Sequence, residues 1–270
     1  MSDTVLALGL AGLLGLMIGS FLNVVIHRLP RMLEAEWDAS PRSEPAQRYN
    51  LATPRSHCPQ CAHTLGWQEN IPVLSFVVQQ GRCMHCKARI SARYPAIELV
   101  TAGLFVWVFA QYGWGLQAVA WAGFAAALVA LAAIDADTCL LPDAITQPLA
   151  WAGLLAASLG LSGTRLNDAL WGAAAGYLFL WLVYWLFKWA TGKEGMGRGD
   201  FKLLAALGAW LGWPALLSLV MIASFSGVVG GLWLKLRGQL ADNGQLAFGP
   251  FLVLAGLWVM AFGPLTWFLI

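Results

Sequence analysis

Charge is what this chain has least of. Charged residues make up 11% of its 270 positions, whereas a soluble domain carries about a quarter. So little polar surface cannot coat a globule of this size, which excludes a soluble enzyme. Disorder is excluded by the 59% hydrophobic content, because a chain so apolar buries itself. The net charge of +2 gives no reason to invoke nucleic acid. Missing too are the GxSxG and HExxH signatures, a P-loop and a complete Rossmann fingerprint, so serine-hydrolase, zincin and nucleotide chemistry have no motif to rest on. Ten-residue alternating strands are absent, which removes a membrane barrel.

Long apolar runs remain, with 15 Trp and 13 Phe, residues that favour bilayer interfaces. A hydrocarbon core of about 30 Å takes roughly 20 apolar residues in helix. Only helices pair every backbone amide within one segment. The fold class is therefore an all-α polytopic membrane protein. Eight transmembrane helices are expected, near 5–27, 96–112, 115–134, 142–161, 168–188, 201–213, 215–236 and 248–269. The first lacks a basic flank and a small-residue cleavage site, so it reads as a retained span. The run 201–213 is short, covering about 20 Å; either the bilayer thins there or its ends lie below the lipid surface. Gly15/Gly19 and Gly227/Gly231 have the GxxxG spacing of close helix contact, and equally suit ordinary small residues.

With eight spans, every Lys and Arg except Arg165 falls on one side, which the positive-inside rule makes cytoplasmic. Three domains follow: a first transmembrane helix at 1–27, a cytoplasmic insert at 28–95, and a seven-helix membrane domain at 96–270. The insert holds nine Lys or Arg against five Asp or Glu. A brief amphipathic pattern runs over 32–37, and the polar loop 238–246 carries no functional signal.

Within the insert, Cys58 and Cys61 form one CxxC, and Cys83 and Cys86 a second after 21 residues. Two such knuckles read as a four-cysteine zinc site. A reducing compartment disfavours the rival reading, two disulfides or free thiols. Four thiolates close the shell, so this zinc organises the fold, and a small polar segment needs such a staple. His57, His63 and His85 flank the knuckles as possible substitutes. Cys139 stands alone and reads as a buried, inert thiol.

Acidic residues gather at the cytoplasmic ends of spans: Asp135 and Asp137 after one apolar run, Asp143 after Pro142, and Asp200 after the glycine-rich 195–199. Ionisable groups at membrane depth are functional candidates. Asp143, Asp168 and Asp200 also stand at helix starts, where Asp is a good N-cap. Capping is the preferred reading for Asp168, and Asp143 is balanced between capping and function. Asp200 is set apart because Gly197 and Gly199 before it permit unusual backbone geometry and close approach, which a cap does not need. Two carboxyls about 3 Å apart share one proton, since like charges that close cannot both ionise. Such a pair hydrolyses a peptide, one member taking a proton from water and the other donating to the carbonyl or leaving amine. Transport by intramembrane aspartates would place charge mid-span, and a non-enzymatic assembly factor docking through the zinc module leaves the glycines before Asp200 unexplained.

The segments GSFLNVVIHRLP at 19–30, the two knuckles, RYPAIE at 93–98, IDADTCLLPD at 134–143, GKEGMGRGDFKLL at 192–204 and FGP at 248–250 together resemble the type IV prepilin peptidases. The likeness covers essentially the whole chain. It implies a bifunctional leader peptidase and N-methyltransferase of type IV pilus and type II secretion systems, in the bacterial inner membrane. The family's GxGD aspartate maps to Asp200 and its partner to Asp135, with Asp143 as the substitute. The resemblance further implies prepilin and pseudopilin substrates, cleaved after a Gly that follows a basic leader. The new N-terminus is then methylated from S-adenosylmethionine. The knuckles fit the bifunctional type, although a chain retaining only the protease is a further possibility. Asn23, Arg93 and Glu98 lie in matching segments with roles open between packing, charge pairing and catalysis.

Overall fold

A polar backbone in hydrocarbon has no water to bond, and each apolar run of the chain answers with helix. In the computed structural model, which describes residues 2–38, 49–193, 195–238 and 246–265, nine α-helices are present: α1 (Ser2–Asp38), α2 (Leu74–Val78), α3 (Arg93–Tyr112), α4 (Leu116–Thr138), α5 (Asp143–Ser158), α6 (Leu166–Thr191), α7 (Arg198–Leu211), α8 (Leu216–Leu236) and α9 (Gly249–Phe262). Among the described residues there is no named strand, only two isolated bridges. The expected all-helical class holds, and each of the eight apolar runs coincides with a helix. Five of these helices are long and apolar enough to cross a membrane. The others, α5, α7 and α9, have 16, 14 and 14 residues. Most of the loop 238–246, the end of the run 248–269, residues 39–48 of the insert and Glu194 lie outside the described residues.

The chain divides into two compact units, Met1–Ala126 and Ala127–Ile270. In the first, α1 packs along α3. A β-carbon on Gly15 would sit 2.6 Å from the Ala102 Cα, and one on Gly19 2.7 Å from the Glu98 Cα. This glycine pair therefore brings two backbones together, as small-residue spacing does in membranes. Helix α1 continues through Pro30 to Asp38, past the expected end of its span at 27 and through the segment 32–37. Its 37 residues measure about 55 Å, far more than a bilayer core needs.

In the second unit the short helix α7 is the core. It packs against α5, α6 and α9, and Phe201, Leu203, Leu204, Leu207 and Trp210 are buried along it. Gly172 of α6 lies directly on the Gly208 carbonyl, and a β-carbon on Gly176 would stand 2.8 Å from the Leu204 carbonyl oxygen. Gly153 of α5 accommodates the Trp210 indole, whose Nε1 donates to the Leu149 carbonyl at 2.8 Å. Protein surrounds α7 where lipid would surround a full-length span, so thirteen or fourteen residues suffice. The Gly172/Gly176 spacing was legible in the sequence and is the signal for this contact. Gly227, by contrast, has only ordinary contacts, the nearest at 3.6 Å, and Gly231 meets the Leu246 side chain. That pair brings no backbones together.

Candidate functional site

Two centres stand out, one in each unit. In the second unit, Asp135 closes the last turn of α4 and Asp200 opens the first turn of α7. They are 4% and 5% exposed, the two buried aspartates among the described residues. Asp135 lies close enough for its charge to act on Asp200. The Gly249 N–H, at the first residue of α9, donates to Asp135 Oδ2 at 2.8 Å. A β-carbon at 249 would come within 2.6 Å of that oxygen. The starts of α7 and α9 thus converge on the end of α4, and helix N-termini favour negative charge. The segment 248–250 carried no role in the sequence reading. A glycine before proline at a helix start was the available signal.

Of the two uses expected for the glycines before Asp200, close approach is seen at Gly199 and unusual backbone geometry is not seen at Gly197. Gly197 has an ordinary φ of −70°. A β-carbon on Gly199 would meet the Leu141 Cβ at 2.7 Å, so the glycine-rich turn is seated against the LPD segment. Gly197 is also the N-cap of α7, which places Asp200 inside the first turn and not at the cap.

The capping readings of the other aspartates are corrected as well. Asp143 is the first residue of α5, with Pro142 at the cap. Its carboxylate takes Lys202 Nζ at 2.6 and 2.7 Å and Gln147 Nε2 at 3.3 Å, on an exposed surface. Asp168 follows the cap residue Arg165 and accepts the Trp213 indole N–H at 3.1 Å. A tertiary partner thus claimed the Asp168 side chain that local pattern assigned to a cap, and another claimed Asp143, for which capping was one of two readings. Asp137 is exposed. Cys139 is exposed, not buried, with φ +52° just past the end of α4.

In the first unit, the sulfurs of Cys58, Cys61, Cys83 and Cys86 lie within 4.8 Å of one another. Cys58 and Cys86 are 3.8 Å apart, close to the edge of a tetrahedron with metal–sulfur bonds of about 2.3 Å. The two knuckles repeat one design. The Cys58 N–H bonds the His63 carbonyl and the Ala62 N–H bonds the Cys58 carbonyl; Cys83 does the same with Ala88 and Lys87. Ala62 and Lys87 both take positive φ, +55° and +60°. The N–H groups of Cys61 and Gln60 hold the Cys58 thiol down to about 7. Those of Cys86 and His85 lower Cys83 likewise. The first sulfur of each knuckle is therefore biased to thiolate, the form a metal requires. All four cysteines are unpaired, so the cluster can hold a metal ion. The flanking histidines are engaged elsewhere. His63 stacks on His85 at 5.2 Å and contacts Glu69 at 3.2 Å, and His57 meets the Arg55 carbonyl.

The matching segments 19–30 and 93–98 also meet in this unit. Asn23 Nδ2 donates to the Tyr94 carbonyl at 3.1 Å. Glu98, buried near the start of α3, accepts the Val73 N–H at 2.7 Å. Arg28, for which the sequence offered no role, is buried and donates to the carbonyls of Asn50 and Pro54 at 2.9 and 2.6 Å. Arg93 is exposed. All the buried carboxylates described, Glu98, Asp135 and Asp200, lie near helix ends, not at mid-span where an ion-transport site would be expected.

Residues 13–112 match the bacterial peptidase A24 N-terminal domain, and residues 122–232 match the type IV leader peptidase family. A prepilin leader peptidase/N-methyltransferase of Aeromonas salmonicida is 52% identical over 92% of this chain and 87% of the relative. One from Burkholderia pseudomallei is 49% identical over 96% of this chain and 87% of the relative. One from Pseudomonas aeruginosa is 49% identical over 92% and 87%. No solved structure matches the chain. With both matched regions spanning the two centres, and relatives near half identity along almost the whole length, the chain belongs to the type IV leader peptidase family.

Proposed function

We propose that this chain removes the basic leader of type IV prepilins and type II pseudopilins by aspartyl proteolysis, and then methylates the new N-terminus. One observation carries the peptidase reading: Asp135 and Asp200, distant in sequence, are both buried at converging helix ends. A carboxylate pair holding one proton needs no other nucleophile than water. The ionised member takes a proton from water as its oxygen attacks the scissile carbonyl carbon. The protonated member donates toward the carbonyl oxygen. Collapse of the tetrahedral diol breaks the C–N bond, and the leaving amine collects a proton from the pair. No acyl-enzyme forms. Gly249 holds Asp135 Oδ2 in place, and Lys202 holds Asp143 apart on the surface.

The four-cysteine cluster takes zinc in this reading. A closed tetrahedral thiolate shell leaves no position for substrate, so the ion staples the insert. S-adenosylmethionine, the donor an N-methyltransferase needs, supplies an electrophilic methyl group. The enzyme sits in the inner membrane with the insert and both aspartates toward the cytoplasm, following the one-sided distribution of Lys and Arg. The insert at 28–95 is the cytoplasmic part of the chain in this reading, with membrane helices before and after it. Incubation with purified prepilin and the methyl donor, read by mass spectrometry, tests both activities separately. Leader loss and the added methyl group are expected. Cleavage by a well-expressed Asp200→Asn variant overturns the aspartyl mechanism.

A further inference from the structure

The cavity of about 490 Å³ between the end of α1, the start of α3 and the cysteine module lies in the size range of small-molecule sites. Peptide hydrolysis at Asp135 and Asp200 gives it no role. Its lining includes three buried polar side chains, Asn23, Arg28 and Glu98. Two are spoken for. Arg28 is clamped by the Asn50 and Pro54 carbonyls and lies 5.7 Å from the Tyr49 ring, so it builds the wall. Asn23 is tied to Tyr94. Glu98 is different. It accepts the Val73 N–H and is bonded by the Ser20 side chain, yet among the described residues no ion-pair partner stands beside it. A buried carboxylate is costly without a cation.

We propose that this cavity binds the methyl donor, and that Glu98 supplies the negative charge that recognises the donor's positive sulfonium centre. The inference rests on the two-activity reading above. The rings of Tyr49, Phe76 and Tyr94 line the same space and offer stacking faces to an adenine. Arg31, also at the cavity, suits the donor's carboxylate. In methyl transfer, the amine lone pair of the cut substrate forms the new N–C bond. The S–C bond breaks with its electron pair left on sulfur, and the amine's proton passes to solvent. Sulfur is then a neutral thioether, and Glu98 has lost its partner. Selective release of product is built into the same side chain.

The test uses the full-length, zinc-loaded protein in detergent. Equilibrium dialysis compares S-adenosylmethionine with S-adenosylhomocysteine, which lacks the sulfonium charge. Wild type is expected to prefer the charged donor. Glu98→Gln is expected to weaken donor binding by about tenfold or more and to bring the two affinities together, with the thermal unfolding midpoint recording that the variant is folded. Ultraviolet cross-linking of radiolabelled donor to wild type, followed by peptide mapping, needs no variant. Adducts are expected in 20–31, 49–60 or 69–98. Adducts confined to 127–270 overturn the cavity assignment. An unchanged preference in folded Glu98→Gln overturns the role of Glu98. Wild type that neither binds the donor nor methylates cleaved prepilin overturns the two-activity reading itself, and this site with it.

Discussion

Gly249 donates its backbone N–H to Asp135 at 2.8 Å, and a β-carbon on the same glycine would stand 2.6 Å from the oxygen it holds. Contact this close leaves room for no other residue. Gly249→Ala pushes Asp135 away from its place, and a displacement near 1 Å at a reacting group costs about 100-fold in rate. Leader cleavage by the purified variant should fall by about that factor while the protein still folds. A rate within twofold of wild type would show that the Asp135 position does not govern the reaction.

Asp143 and Asp200 should separate cleanly. Asp143 is half exposed and paired with Lys202, an arrangement worth at most about 1 kcal/mol at a surface. Asp143→Asn should keep leader cleavage within roughly threefold and shift stability by no more than that amount. Asp135→Asn and Asp200→Asn should each abolish cleavage. Gel assays on the three variants decide the pairing, and loss of activity in Asp143→Asn with retention in Asp135→Asn would exchange their roles.

The α6–α7 contact should be intolerant of a single methyl group. Gly172 lies on the Gly208 carbonyl, so Gly172→Ala forces the helices apart. Overpacking of this kind costs about 1–3 kcal/mol, and the change should appear as a lower midpoint in denaturant or thermal unfolding. Gly103→Ala is the control, because a β-carbon there meets nothing within 4 Å.

The insert should lose part of its stability in acid through Glu69. The Gly66 N–H, aided by His63, holds this carboxyl below its ordinary value of 4.5. A depressed folded-state value means the contribution is full above the unfolded-state value and disappears as pH falls through the folded one. Glu69→Gln should therefore lower the unfolding midpoint at pH 7 and lose that difference below the ordinary carboxylate range. Comparing variant with wild type at each pH cancels the acid sensitivity of the thiolates. A difference that persists unchanged at pH 3 would assign the effect to packing.

Metal analysis of the purified chain should find one zinc per molecule. Cys58→Ser or Cys83→Ser should reduce it, since each sulfur lies within 4.8 Å of the other three. Chelation should speed hydrogen exchange across the knuckles, because ion binding and folding of such modules are one equilibrium.

Composition and apolar run length were enough to identify helices in a membrane, because in hydrocarbon a backbone amide has no partner outside its own helix. The CxxC spacing was enough for the four-sulfur cluster, since a metal knuckle is a local structure that its own few residues build. Beyond that reach, the sequence misled. Asp168 looked like a cap and found Trp213, and Asp143, balanced between capping and function, found Lys202. Cys139 looked buried and is exposed. Of the two uses expected for the glycines before Asp200, close approach holds at Gly199, which clears Leu141, while Gly197 has an ordinary backbone. Only tertiary structure encased the short α7, set the Gly249 amide against Asp135, and left Glu98 buried with no ion-pair partner among the described residues. Each of these depends on which helices lie side by side, and contacts between residues tens of positions apart leave no periodicity in the chain to be read.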